Sequence, residues 1–199
     1  AKGEGDVTAY GESKFQAEQL IETASRQGKI SSVILRSVNV YGAGMKGNIS
    51  RMISMIEKGR LPPLPEVNNQ ISLISVDDLA AALLLAMETD ESGQKSYTVT
   101  DGESYSVAAM ERAIYAALGK SFPHWRTPHM VLYGASQIAG FVSSITGGSG
   151  AISARTYRNL ISDSLFSNEK AVSELGFKPS TTFYEELPKL IESIRESAE

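Results

Sequence analysis

The sequence predicts an α/β protein, the closing part of a doubly wound domain with a parallel sheet, and three observations carry that prediction. Phe15, Ala17, Leu20, Ile21 and Ala24 recur at helical spacing in a segment that opens near Ala9. Residues 32–40 follow, and their β-branched, nearly continuous apolar character suits a strand buried on both faces of a parallel sheet. Helix and strand patterns then alternate up to residue 100.

Taken in order, residues 1–8 read as a loop, and Gly28 ends the first helix. Ile49, Met52, Ile53 and Ile56 give residues 48–58 one apolar stripe, closed by Gly59. A proline run at 62–65 and the polar residues after it form a loop before a short strand over 71–74. Asp77 and Asp78 open a helix rich in Ala and Leu to about Met87, where acids in the first turn favour the helix dipole. Residues 97–100 form another strand, Asp101-Gly102 turns the chain, and Ser106 caps a helix through Leu118. Residues 128–145 and 153–160 read as helices separated by a glycine-rich turn at 147–150. Residues 164–166 are extended, Asn168 begins a short helix ended by Gly176, and a last helix starts near Phe183.

A chain of 199 residues can bury a substantial core as one domain or two small ones. A net charge of -4 gives no basic footprint for nucleic acid and no polybasic membrane patch. The absence of cysteine removes disulfides, thiolate nucleophiles and Cys-ligated metal sites. His124 and His129, the two imidazoles, lie beside Pro123 and Pro128 and read as loop or surface residues, so no metal site is expected. The first residues are polar with no apolar run behind them, and the tract 130–145 is interrupted by Gly134, Ser136, Gln137, Gly140 and Ser143. The expectation is a soluble, cytoplasmic protein.

The chemistry concentrates in Tyr10-Gly11-Glu12-Ser13-Lys14, which opens the first helix. Four residues apart, Tyr10 and Lys14 stand one above the other on one face. A free phenol titrates near ~10 and becomes a useful base only beside a fixed positive charge, which Lys14 supplies. Alone, this spacing is also what a solvated helix face offers. Farther on, Gly42-Ala43-Gly44-Met45-Lys46-Gly47 satisfies a dinucleotide fingerprint, with Asp77 or Asp78 as its ribose acid, but the proline run interrupts the path to the next strand.

Tyr-Gly-x-Ser-Lys, a helix, and then Leu35-Arg36-x-x-x-Val40-Tyr41-Gly42-x-Gly44 together resemble the extended short-chain dehydrogenase/reductase family of nucleotide-sugar epimerases and dehydratases. Ser75-Val76-Asp77-Asp78-Leu79-Ala80, Ser96-Tyr97-Thr98-Val99 and Glu174-Leu175-Gly176-Phe177-Lys178-Pro179 agree in order and spacing. The resemblance covers the carboxy-terminal half of such an enzyme. It implies a Rossmann-type sheet domain in two pieces, 1–44 and 76–102, and a smaller α/β substrate-binding cap from 45–75 and 103–199.

The same resemblance implies NAD or NADP as cofactor and a nucleotide-diphosphate sugar as substrate. Tyr10 would take the proton of a sugar hydroxyl, and Lys14 would stabilise its phenolate and bind the nicotinamide ribose. Ser37 and Val38 would lie beside the nicotinamide. Asn39 and Arg158 would contact the substrate diphosphate, and Arg36 would serve in a structural ion pair. The Gly42 loop would shape a turn on the substrate side.

Two departures follow. The arginine that many members carry before the Val-x-Asp-Leu stretch is replaced by Asn69-Gln70-Ile71, and the amino-terminal glycine fingerprint is absent from these residues. The chain is therefore expected to be inactive in isolation. Epimerisation leads among the expected reactions, with dehydration or 4-keto reduction as alternatives. A reading of another class is a non-catalytic binding module or a homodimer through helix 9–27.

Overall fold

The computed structural model describes residues 9–67, 69–89, 94–128, 130–131 and 162–197. Helix α1 (Ala9–Arg26) leads into β1 (Ser32–Ser37), and β2 (Asn39–Tyr41) follows after a single residue, Val38. Then come α2 (Asn48–Glu57), β3 (Leu73–Ser75), α3 (Val76–Met87), β4 (Gln94–Val99), α4 (Val107–Ala117), α5 (Glu169–Leu175) and α6 (Phe183–Glu196).

Both strand pairings are parallel. β1 pairs with β4 from Ser32↔Gln94 to Ser37↔Val99, and β2 pairs with β3 from Asn39↔Leu73 to Tyr41↔Ser75. The strand predicted over 32–40 is thus two strands, broken at Val38, where the chain changes partner. The strand predicted over 71–74 begins later, at Leu73, because the backbone before it pairs elsewhere: Ser72 N–H donates to Ser164 O at 2.9 Å and Ser164 N–H donates to Gln70 O at 2.7 Å. Ile71 instead forms isolated bridges to Tyr105 and Ser164.

β1 also departs from the expected burial on both faces: its residues are half-buried or exposed. Among the described residues its one paired neighbour is β4, so half of the enclosure that a central parallel strand needs is not supplied. The predicted elements over 128–145, 147–150 and 153–160 lie outside the described residues, apart from Pro128, Met130 and Val131. Arg158 and His129 lie outside them too.

Two apolar cores result. Tyr41, Ile53, Ile56, Leu73, Met110, Ile114, Phe183 and Leu190 build the first, between α2, α4 and α6. Ile74, Ala82, Tyr97, Val99, Leu175 and Phe177 build the second, between the β1–β4 pair, α3 and α5. Leu73 and Ile74 enter different cores because successive strand side chains point to opposite faces.

The helix ends follow from local chemistry. Ser75 and Ser106 accept the N–H groups of Asp78 and Ala109 at the starts of α3 and α4. Thr182 and Glu185 form a reciprocal capping box on α6. Gly176, at φ 67°, turns α5 left-handed so that Phe177 N–H reaches Ala171 O at 3.2 Å and the Phe177 ring becomes fully buried. No helix among the described residues is long and apolar enough to cross a membrane.

Candidate functional site

Residues 27–31 fold α1 back alongside β1, and Arg36 on the strand grips Glu18 on the helix. From that contact, eight helical residues carry the chain ~12 Å back to Tyr10. The Tyr10 end of α1 therefore extends past Arg36 in the direction in which β1 runs, toward the β1–β2 junction.

Tyr10 is 72% exposed, and Lys14 places its Nζ 5.5 Å from the centroid of the Tyr10 ring. The ammonium thus sits over the π face of the phenol. Ser13 donates its hydroxyl to the Tyr10 carbonyl at 2.8 Å, and Glu12 accepts from the Gln16 amide at 3.0 Å, so neither points its polar atoms at the phenol. Ser37 and Asn39 are exposed, whereas Val38 is half-buried against the second core. Asn39 and Val40 form one wall of a cavity of about 730 Å³, whose other walls include Met52 and Met55 of α2, Leu64 and Met110.

The glycine loop after β2 serves packing. A Cβ on Gly42 would lie 2.4 Å from Val76 Cγ1, so the missing side chain is what lets β2 approach the start of α3. Gly44 N–H donates to Ser193 Oγ at 2.9 Å. Asp78 is buried, with Oδ1 accepting from both N and Oγ of Ser180. A dinucleotide fingerprint needs amides free for phosphate, and the Gly44 amide is already engaged; of its two candidate acids Asp78 is buried and Asp77 is exposed. Asp78 behaves as a helix-start residue that also ties down the approach to α6.

Two buried polar clusters have no local sequence signal. In the first, Tyr105 donates to Asp101 Oδ2 at 2.6 Å, Tyr41 approaches the same oxygen at 3.4 Å, and Phe183 N–H donates to Tyr105 Oη at 3.1 Å. Burial, opposed by the Tyr105 hydrogen bond, holds the Asp101 carboxyl above its ordinary range, and burial raises both phenols as well. In the second, Glu111, wholly buried, accepts Leu64 N–H at 2.9 Å and Arg126 Nη1 at 2.5 Å. Arg126 also stacks over Phe122, 4.5 Å from its centroid. His124 is exposed, and no group of three or more metal-ligating side chains occurs among the described residues.

These features define a parallel α/β protein, a class whose open sheets bind ligands at the carboxyl ends of their strands. The family model for the NAD dependent epimerase/dehydratase family matches residues 3–108, and the chain belongs to that family. UDP-glucose 4-epimerase of Vibrio cholerae is 30% identical over 60% of this chain and 36% of its own length. Short-chain dehydrogenase/reductase family 42E member 1 of Xenopus laevis is 27% identical over 87% of this chain and 49% of its own. The chain therefore spans about half the length, or less, of these relatives.

Solved structures share the fold. UDP-glucose 4-epimerase of Thermotoga maritima, solved with UDP-glucose, superposes with TM-score 0.69 at 20% identity, over 96% of this chain and 54% of that one. The Bordetella bronchiseptica enzyme WbmF, solved with NAD+ and UDP, gives TM-score 0.69 at 22% identity, over 100% of this chain and 55% of that one.

Proposed function

We propose that this chain is the proton-transferring, substrate-side half of an NAD(P)-dependent nucleotide-sugar epimerase of the UDP-sugar 4-epimerase type. The observation that carries the reading is the exposed Tyr10–Lys14 pair at the start of the helix that Arg36 fastens to β1. The printed ligands of the structural neighbours, UDP-glucose, NAD+ and UDP, point the same way.

The residues present fit a nicotinamide: an accessible phenol and ammonium, an exposed Ser37, and a Val38 whose packing fixes the strand end. When bound, the dinucleotide supplies the hydride acceptor and donor that no side chain can replace. Tyr10 Oη takes the proton of the sugar hydroxyl and later returns it. Lys14 stabilises the phenolate and binds the nicotinamide ribose. Ser37 and Val38 border the ring, and Asn39 holds the diphosphate at the cavity mouth, with Arg158 as a second diphosphate contact.

In this reading 1–44 with 76–102 form the sheet domain, and 45–75 with 103–199 form the cap. The two apolar cores follow the division in part: Tyr41 enters the cap-side core, Ile74, Leu175 and Phe177 enter the sheet-side core, and β2 pairs with β3 across the boundary. Exposed Phe15 and Leu20 support a homodimer through α1. These residues alone, without a glycine-rich phosphate loop, bind dinucleotide weakly and do not turn over.

The test is interconversion of UDP-glucose and UDP-galactose by the NAD-loaded protein that joins these residues to a dinucleotide-binding half. Replacing Tyr10 with Phe should lower kcat by roughly 10²- to 10⁴-fold, the span of general acid–base catalysis. Full activity in Tyr10→Phe would overturn the reading.

A further inference from the structure

Tyr10, Lys14 and Glu18 recur at every fourth position along one stripe of α1. A carboxylate four residues from an ammonium is the ion-pair partner that a solvated helix ordinarily supplies. Glu18 does not take that role. Its Oε1 accepts from Arg36 Nε at 3.1 Å and its Oε2 from Arg36 Nη2 at 2.6 Å, a two-pronged fork that occupies both oxygens.

The Arg36 hydrogen bonds hold the Glu18 carboxyl below the ordinary carboxylate range. The other acids of α1 are engaged as well: Glu22 pairs with Arg26, and Glu12 accepts from Gln16. Among the described residues Lys14 is thus left with the Tyr10 ring as its neighbour and no carboxylate in ion-pair contact.

We propose that Arg36 is a positioning residue for the Tyr10–Lys14 pair: by sequestering Glu18 it keeps that carboxylate from neutralising Lys14, so the ammonium's charge is directed to the phenol. The fork also fixes α1 against β1, but a purely structural fork would leave the ion-pair partner of Lys14 unchanged when Arg36 is removed. The functional value of the device rests on the role proposed for Tyr10 and Lys14. Its electrostatics do not.

The test is therefore made on this chain without turnover. An amine-selective acetylating reagent is applied at neutral pH, and the rate at Lys14 is read by mass spectrometry relative to exposed Lys29. The free amine is the reactive form, so pairing with a carboxylate slows the reaction. In Arg36→Ala, Glu18 is released, and Lys14 should react more slowly by about 1.4- to 2.3-fold, the range for exposed pairs at this spacing. Combining Arg36→Ala with Glu18→Gln, which removes both charges together, should restore the wild-type rate.

An unchanged rate in Arg36→Ala, or equal slowing in the single and double variants, would overturn the proposal. Should the alanine variant fail to fold, Arg36→Lys grips one oxygen only and should give the same ordering with a smaller slowing. None of these rates depends on whether Tyr10 is catalytic, which the interconversion assay decides separately.

Discussion

At Asp101 the cost of burying a carboxylate exceeds what the Tyr105 and Tyr41 hydroxyls return, and that imbalance sets a pH dependence. A group whose folded pKa is raised contributes stability that is fully present below its unfolded value, near ~3.9, and is lost as pH climbs through the folded value. Melting temperatures recorded from pH ~4 upward should fall with rising pH more steeply for the native chain than for Asp101→Asn. Identical slopes would show that Asp101 does not contribute. Glu111 sets a second expectation: Glu111→Ala strips Arg126 of its buried partner and should cost roughly 3–5 kcal/mol in denaturant unfolding. Neither cluster was legible beforehand. Asp101 read as half of a turn, and Tyr41 lies sixty residues away in sequence from its acceptor. Tyr10 and Lys14 were legible because helical spacing alone brings them together.

Element by element, the helices are the more legible because caps and periodicity are local signals; α4 and α6 begin where Ser106 and Phe183 suggest. The strands are less legible, since the break at Val38 and the late start of β3 depend on partners in Gln94–Val99 and at Ser164 that no neighbouring residue announces. The Gly42 loop shows how a permissive pattern misleads: its first glycine answers to the close approach of Val76 and not to a phosphate. Gly42→Ala should destabilise by about 1–3 kcal/mol through overpacking, and Val76→Ala in the same chain should recover most of that loss in denaturant unfolding. A variant as stable as the native chain would mean that the β2–α3 contact is looser than described. At the start of α6, Thr182→Ala removes the capping box and should cost about 1 kcal/mol.

For the molecule as a whole, the apolar surface left outside the two cores is as informative as the cores. Phe15 and Leu20 of α1, and Leu83, Leu84 and Met87 of α3, are exposed, and β1 is incompletely enclosed. Surface of this kind is usually covered by a partner or a further domain. If α1 provides the dimer contact, sedimentation should show a concentration-dependent dimer that Phe15→Ser and Leu20→Ser together abolish. Calorimetric titration of these residues with NAD and NADP should give no micromolar binding, and such binding would contradict the assignment of the phosphate loop to another half.

The central claim, that the phenol of Tyr10 with Lys14 beside it faces the nicotinamide, is tested most directly by nicotinamide absorbance during a single turnover. The NAD-loaded protein, carrying these residues with their dinucleotide-binding half, is mixed with UDP-glucose. Transient reduction is expected in the native protein, slowed by roughly 10²- to 10⁴-fold in Tyr10→Phe. Equal rates in the two proteins would rule out this role for Tyr10.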